Sequence, residues 1–144
     1  MQQKFAHPKY LLETSVLMAN TDRIGTETWS MGICQNVLRQ TQVFYLDLLN
    51  STAMYYGDGK NITPNTELVV LFLRETLNPF MVKWESVFFY RDQSPRRRAS
   101  HKDRYNMQCD FLTLANVTAG LIEEIKESEP KEKPKPKKKG RGMN

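Results

Sequence analysis

Arg96-Arg97-Arg98-Ala99-Ser100-His101 brings three guanidinium groups, a hydroxyl and an imidazole within six positions. Ser100, with Asp103 three residues on, has the spacing of a capping box, so a helix is expected to start here. The free amides of a helix N-terminus already favour an anion. Arg96, Arg97 and Arg98 beside such donors, with Lys102 adding charge, make a plausible phosphate-binding arrangement. The plainer reading is a basic loop that tolerates its charge because water surrounds it. Arg97-Arg98-Ala99-Ser100 also matches what basophilic kinases accept, and a phosphate on Ser100 would be stabilised at a helix start.

The interval from Arg96 to His101, R-x4-H, resembles the Arg…His motif of the HEPN superfamily, which comprises helical-bundle ribonucleases and their inactive relatives. The resemblance implies a metal-independent RNA-cleaving or RNA-binding bundle. His101 would act as general acid–base against a 2′-hydroxyl, and Arg96 would stabilise phosphate charge in the transition state. The likeness covers six residues. Arg97 stands where that family usually has a polar residue, and the tyrosine some members carry two places after the histidine is replaced by Tyr105, four places after.

A second cationic stretch closes the chain. The formal net charge is +5, and from Ser128 onward Lys131, Lys133, Lys135, Lys137, Lys138, Lys139 and Arg141 face only Glu129 and Glu132. The rest of the chain holds equal numbers of acidic and basic side chains, so the basic character belongs to the tail. Proline alternating with lysine favours an extended, solvated segment. Such a tail attracts any dense anion, whether nucleic acid, an acidic protein face or anionic lipid. With no aromatic residue interleaved, base stacking is not expected of it. PKKKGR is also similar to a short nuclear-import signal, and a purely solubilising appendage is the plain alternative.

Other chemistries find no support in the spacing. His7 and His101 are the two histidines, and Cys34 and Cys109 are distant from both, so no zinc site, other metal site or cofactor is expected. No glycine-rich phosphate loop or nucleophile elbow occurs. Glu123, Glu124 and Glu127 read as a solvated helix end. Both cysteines lie in apolar, helix-patterned stretches and are expected to be buried free thiols. Three sequons occur, at Asn50, Asn61 and Asn116, but the N-terminus carries no secretory signal. Charged residues interrupt every apolar run before a membrane span is reached. The expectation is a soluble cytoplasmic protein, or a nuclear one if the host is eukaryotic.

The elements that must position these residues are helices. Lys9–Asn20 favours a short helix over a strand. Thr26–Tyr56 carries Ile33, Val37, Leu38, Thr41, Phe44, Tyr45, Leu48, Leu49 and Thr52 at intervals of three and four, with Thr26 or Thr28 as cap. Val43 and Leu46 fall outside that stripe, which suggests a second, partly covered side. Gly32 inside the pattern suggests close approach of a neighbouring helix. Gly57-Asp58-Gly59 should end the helix. Thr63-Pro64 starts the next one, whose Leu68–Leu73 is continuously apolar and is expected to be enclosed on nearly every side. Pro79 predicts a break or sharp kink, with helices over 64–77 and 79–91 and Asn78 capping the second. Met107, Phe111, Leu114, Ala115, Thr118, Leu121, Ile122 and Ile125 mark the core face of the last helix.

The 144 residues thus predict an all-α fold: an up-down bundle of four to five helices over 1–127, followed by a disordered Lys/Pro-rich tail over 128–144. The Phe80–Tyr90 segment carries more apolar surface than one buried stripe needs. The expected function is therefore a non-enzymatic interaction or oligomerisation module. Phe80, Trp84, Phe89 and Tyr90 would form its partner surface, self-association would be the simplest use, and the basic tail would attach to something acidic.

Overall fold

Helical backbone begins where the sequence supplies start signals, and the architecture is all-α. A computed structural model describes residues 7–20, 27–56, 64–89 and 99–128. Among them the elements are α1 (Pro8–Glu13), α2 (Val16–Ala19), α3 (Met31–Tyr56), α4 (Pro64–Phe72), a π-helical turn (Leu73–Leu77), α5 (Asn78–Phe88) and α6 (His101–Ser128), with no strand. The helix end expected at Gly57-Asp58-Gly59 lies outside the described residues.

The N-terminal helix is split. His7 is extended and its Nδ1 accepts the Lys9 amide at 3.1 Å, so α1 starts at Pro8 as that residue's missing N–H allows. Thr14 and Ser15 then separate α1 from α2. The two short helices cover α3 and α6 and bury Leu12 and Leu17.

Residue 31 opens α3, later than the sequence suggests. Ser30 is its cap, with Oγ accepting the Ile33 amide at 3.2 Å. Thr28 lies upstream of the cap and Thr26 lies outside the described residues. Residues 27–29 are held away from helix by α6: Gln108 Oε1 accepts the Trp29 amide at 2.9 Å, and Gln108 Nε2 donates to the Glu27 carbonyl at 2.9 Å. Gly32 is exposed, and among the described residues a Cβ there would meet only Ser30 Oγ at 3.9 Å, so no described helix approaches closely.

Pro79 does not break the chain's helical course. A proline lacks the amide for the carbonyl four residues back and crowds that carbonyl with its ring. Here the backbone widens into the π turn just before it, and Asn78 N–H donates to the Leu73 carbonyl five residues earlier. Asn78 is helical (φ −61°, ψ −45°) rather than a cap, so helical backbone runs unbroken from Pro64 to Phe88. Gln35 and Gln42 of α3 tie α5 in place, Gln35 donating to the Phe88 carbonyl at 3.3 Å and Gln42 to Glu85 Oε2 at 2.6 Å.

The core joins Leu12 and Leu17 to one face each of α3, α4, α5 and α6. Each fully buried large apolar side chain contributes about 1.5–3 kcal/mol. All eight residues of the α6 stripe are buried. Leu68–Leu73 is not enclosed, however. Val69, Phe72 and Leu73 are buried, while Val70 (39% exposed) and Leu71 (43%) face solvent. α4 packs against α3 and α6 on one side, and no described element covers the other. Val43 and Leu46 on α3 are exposed as well, so its second side is open.

A candidate docking groove between α3 and α4

The residues singled out by the sequence distribute unevenly. The capping box forms: Ser100 Oγ accepts the Asp103 amide at 3.0 Å, and Asp103 Oδ2 accepts the Ser100 amide at 2.9 Å. This fixes His101 as the first residue of α6, where it and Lys102 are exposed. Arg96, Arg97 and Arg98 lie outside the described residues, as do Lys137, Lys138, Lys139, Arg141 and Tyr90. An Arg96–His101 pair is therefore not assembled among the described residues. Phe80 and Trp84 belong to the domain's own core, 7% and 3% exposed. Phe111 lies against Phe80 at 6.2 Å between ring centroids, and the Trp84 indole donates to Asp110 Oδ2 at 3.0 Å. Phe89 is half-buried, with the Arg39 guanidinium 5.1 Å over its ring. Within α5 the exposed large apolar residue is Val82. Of the four residues expected to form a partner surface, Phe80 and Trp84 are therefore covered by the domain itself, Phe89 is half-covered and Tyr90 lies outside the described residues.

Exposed apolar side chains also gather on α3 and α4. A groove of about 400 Å³ runs between them, lined by Tyr45, Leu49, Thr52 and Ala53 on one wall and Thr66, Val70, Leu73, Arg74 and Asn78 on the other. Helical periodicity explains the lining: Leu49 and Ala53, like Val70 and Arg74, are four residues apart and share a face. Leu49 is 42% exposed and Val70 39%, although both were expected inside. Val43 and Leu46, the two α3 residues outside the sequence stripe, are exposed but do not line this groove; Val43 borders a separate hollow against α1 and α2.

Polar side chains border the apolar middle. Arg74 lines the second wall between Val70 and Asn78, its guanidinium 3.3 Å from the neighbouring Glu75 carboxylate with both side chains well exposed. Such a pair is worth little in water and leaves the cation available to a better partner. Near Thr66 the Ser128 hydroxyl lies 2.6 Å from Asn65 Oδ1 and 2.8 Å from the Glu124 carbonyl, so the end of α6 sits beside the start of α4.

The reactive groups elsewhere have structural explanations. Cys34 is buried, and burial pushes its thiol up to about 11 against the smaller pull of the Arg104 guanidinium. Cys109, expected inside, is exposed one turn after Tyr105; its hydrogen bond and charge push the Tyr105 hydroxyl up. Among the described residues no cluster of His, Cys, Asp or Glu could hold a metal ion, and no helix is long and apolar enough to cross a membrane. No protein family, curated protein or solved structure matches this chain.

Proposed function

We propose that this chain is a non-enzymatic helical interaction module that docks a partner through the α3–α4 face, while its basic tail adds attraction to an acidic surface. The observation that carries the reading is the pair Leu49 and Val70, two large apolar side chains left substantially exposed on opposite walls of one groove. Singly exposed apolar residues are ordinary, but a cluster with concave shape marks an interaction site. In this reading the helices run up and down as one bundle. Two free thiols suit a reducing cytoplasmic compartment. A second copy of the chain is the simplest partner to look for first, by light scattering across concentration.

Titration of the full chain with an anilinonaphthalene dye tests the reading. The protein should take up dye at the groove. Val70→Lys and Leu49→Lys should each remove that uptake without lowering the melting temperature, since lysine is a good helix former at an exposed position. A parent protein that binds no dye, or variants that bind it equally well, would contradict the proposal.

A further inference from the structure

We infer that the partner on this face is a second copy of the chain, whose α4 lies antiparallel along α4 about a two-fold axis between Val70 and Leu71. This rests on the interaction-module reading and names its partner. Glu67, Val70, Leu71 and Arg74 are all exposed and stand at i, i+3, i+4 and i+7, which gathers them on one strip of the helix. Val69, Phe72 and Leu73 point the other way, into the core. Val70 and Arg74 also line the groove, so the strip widens its lip outward. Along about 10 Å of helix the strip runs acid, apolar, apolar, base.

That order is its own complement. A half-turn between Val70 and Leu71 sets Glu67 of each copy opposite Arg74 of the other, and Val70 opposite Leu71. A parallel pair would instead bring like charges together at both ends. An interface built from one patch used twice requires this self-complementarity. Both charges are available for it. Arg74 is engaged only by the exposed, adjacent Glu75, and Glu67 makes no ion pair among the described residues. Between the two ion pairs, four apolar side chains cover one another, two from each copy. Leu71 of the second copy then meets Val70 at the lip of the groove, with Leu49 and Ala53 on the wall beyond. Helices packed this way lie about 8–10 Å apart. Apolar burial supplies the affinity, while charge fixes direction and register. The strip is short, so the affinity falls in the micromolar range.

The test is sedimentation velocity of the full chain from about 5 μM to about 500 μM, which brackets micromolar dissociation constants. The parent should pass from monomer to dimer. Glu67→Arg and Arg74→Glu should each weaken self-association at least about tenfold, because both symmetry-related pairs become repulsive. Mixed in equal amounts, the two variants should associate within about threefold of the parent, since each then meets opposite charge at both ends. Val70→Lys should stay monomeric. Circular dichroism in dilute solution checks that every variant keeps the parent's helicity, and recovery in the mixture shows the same for the charge variants. A parent that stays monomeric, charge variants that dimerise as the parent does, or a mixture no stronger than its components would each overturn the inference. Dye uptake separates the two levels. A chain that takes up dye at the groove yet never dimerises sinks the second copy and spares the module, whereas a monomer that takes up none sinks both.

Discussion

Gln108 on α6 grips the backbone around Trp29, accepting the Trp29 amide and donating to the Glu27 carbonyl, each at 2.9 Å, although about 80 residues of chain separate them. Arg104, one turn earlier, donates to the Trp29 carbonyl at 3.0 Å. Gln108 is buried, so removing its amide strands the Trp29 N–H away from water, while the partly buried Glu27 carbonyl loses a donor. Gln108→Leu should cost about 1–3 kcal/mol, roughly the penalty for one unsatisfied buried group. Urea unfolding followed by tryptophan fluorescence measures it, and a loss below about 0.5 kcal/mol would show that the clasp is ornamental.

The two thiols should behave oppositely. Cys109 is exposed and should react with a maleimide in the native protein, while Cys34 should react only on unfolding. Folding raises the Cys34 thiol from its ordinary 9.0 to about 11, so the folded chain holds that proton more tightly. The associated stability is complete below pH 9 and is lost as pH rises through 11. Cys34→Ala should remove that alkaline slope, which pH-dependent unfolding would reveal.

Asp110 serves two donors unequally. Its Oδ2 accepts from Lys83 Nζ at 2.9 Å and from Trp84 Nε1 at 3.0 Å. The lysine is mostly exposed, whereas the indole is buried. Asp110→Ala should therefore cost about 1–2 kcal/mol by stranding the indole N–H. Lys83→Ala should cost no more than about 0.5 kcal/mol, as exposed ion pairs do. Thermal melts of the two variants compare them directly.

Gly120 lies inside α6 with open space where a Cβ would go. Gly120→Ala should stabilise the protein by about 0.5–1 kcal/mol through helix propensity alone. A lower melting temperature would mean that something covers this face in solution.

What the sequence disclosed was local and periodic. The α6 stripe from Met107 to Ile125, the Ser100–Asp103 box and the Pro64 helix start depend on residues within a few turns of each other, and all three appear in the structure. What it concealed depends on distant partners. Gln108 looks like a surface residue until the backbone at Glu27 and Trp29 comes to meet it, and the same clasp moves the α3 cap to Ser30. Pro79 reads as a break because nothing in the sequence announces the π turn that accommodates it. The groove was hidden for a related reason. Apolar content reports how much surface needs covering, but the number of available neighbours decides which residues are covered, and Val70 and Leu49 are left over.

Hydroxyl-radical footprinting of the dilute full chain tests the groove most directly. Leu49 and Val70 should be oxidised while their buried neighbours Leu48 and Val69 are spared. If Leu49 and Val70 are as protected as Leu48 and Val69 in the free, monomeric protein, the groove is closed in solution and the docking account is wrong.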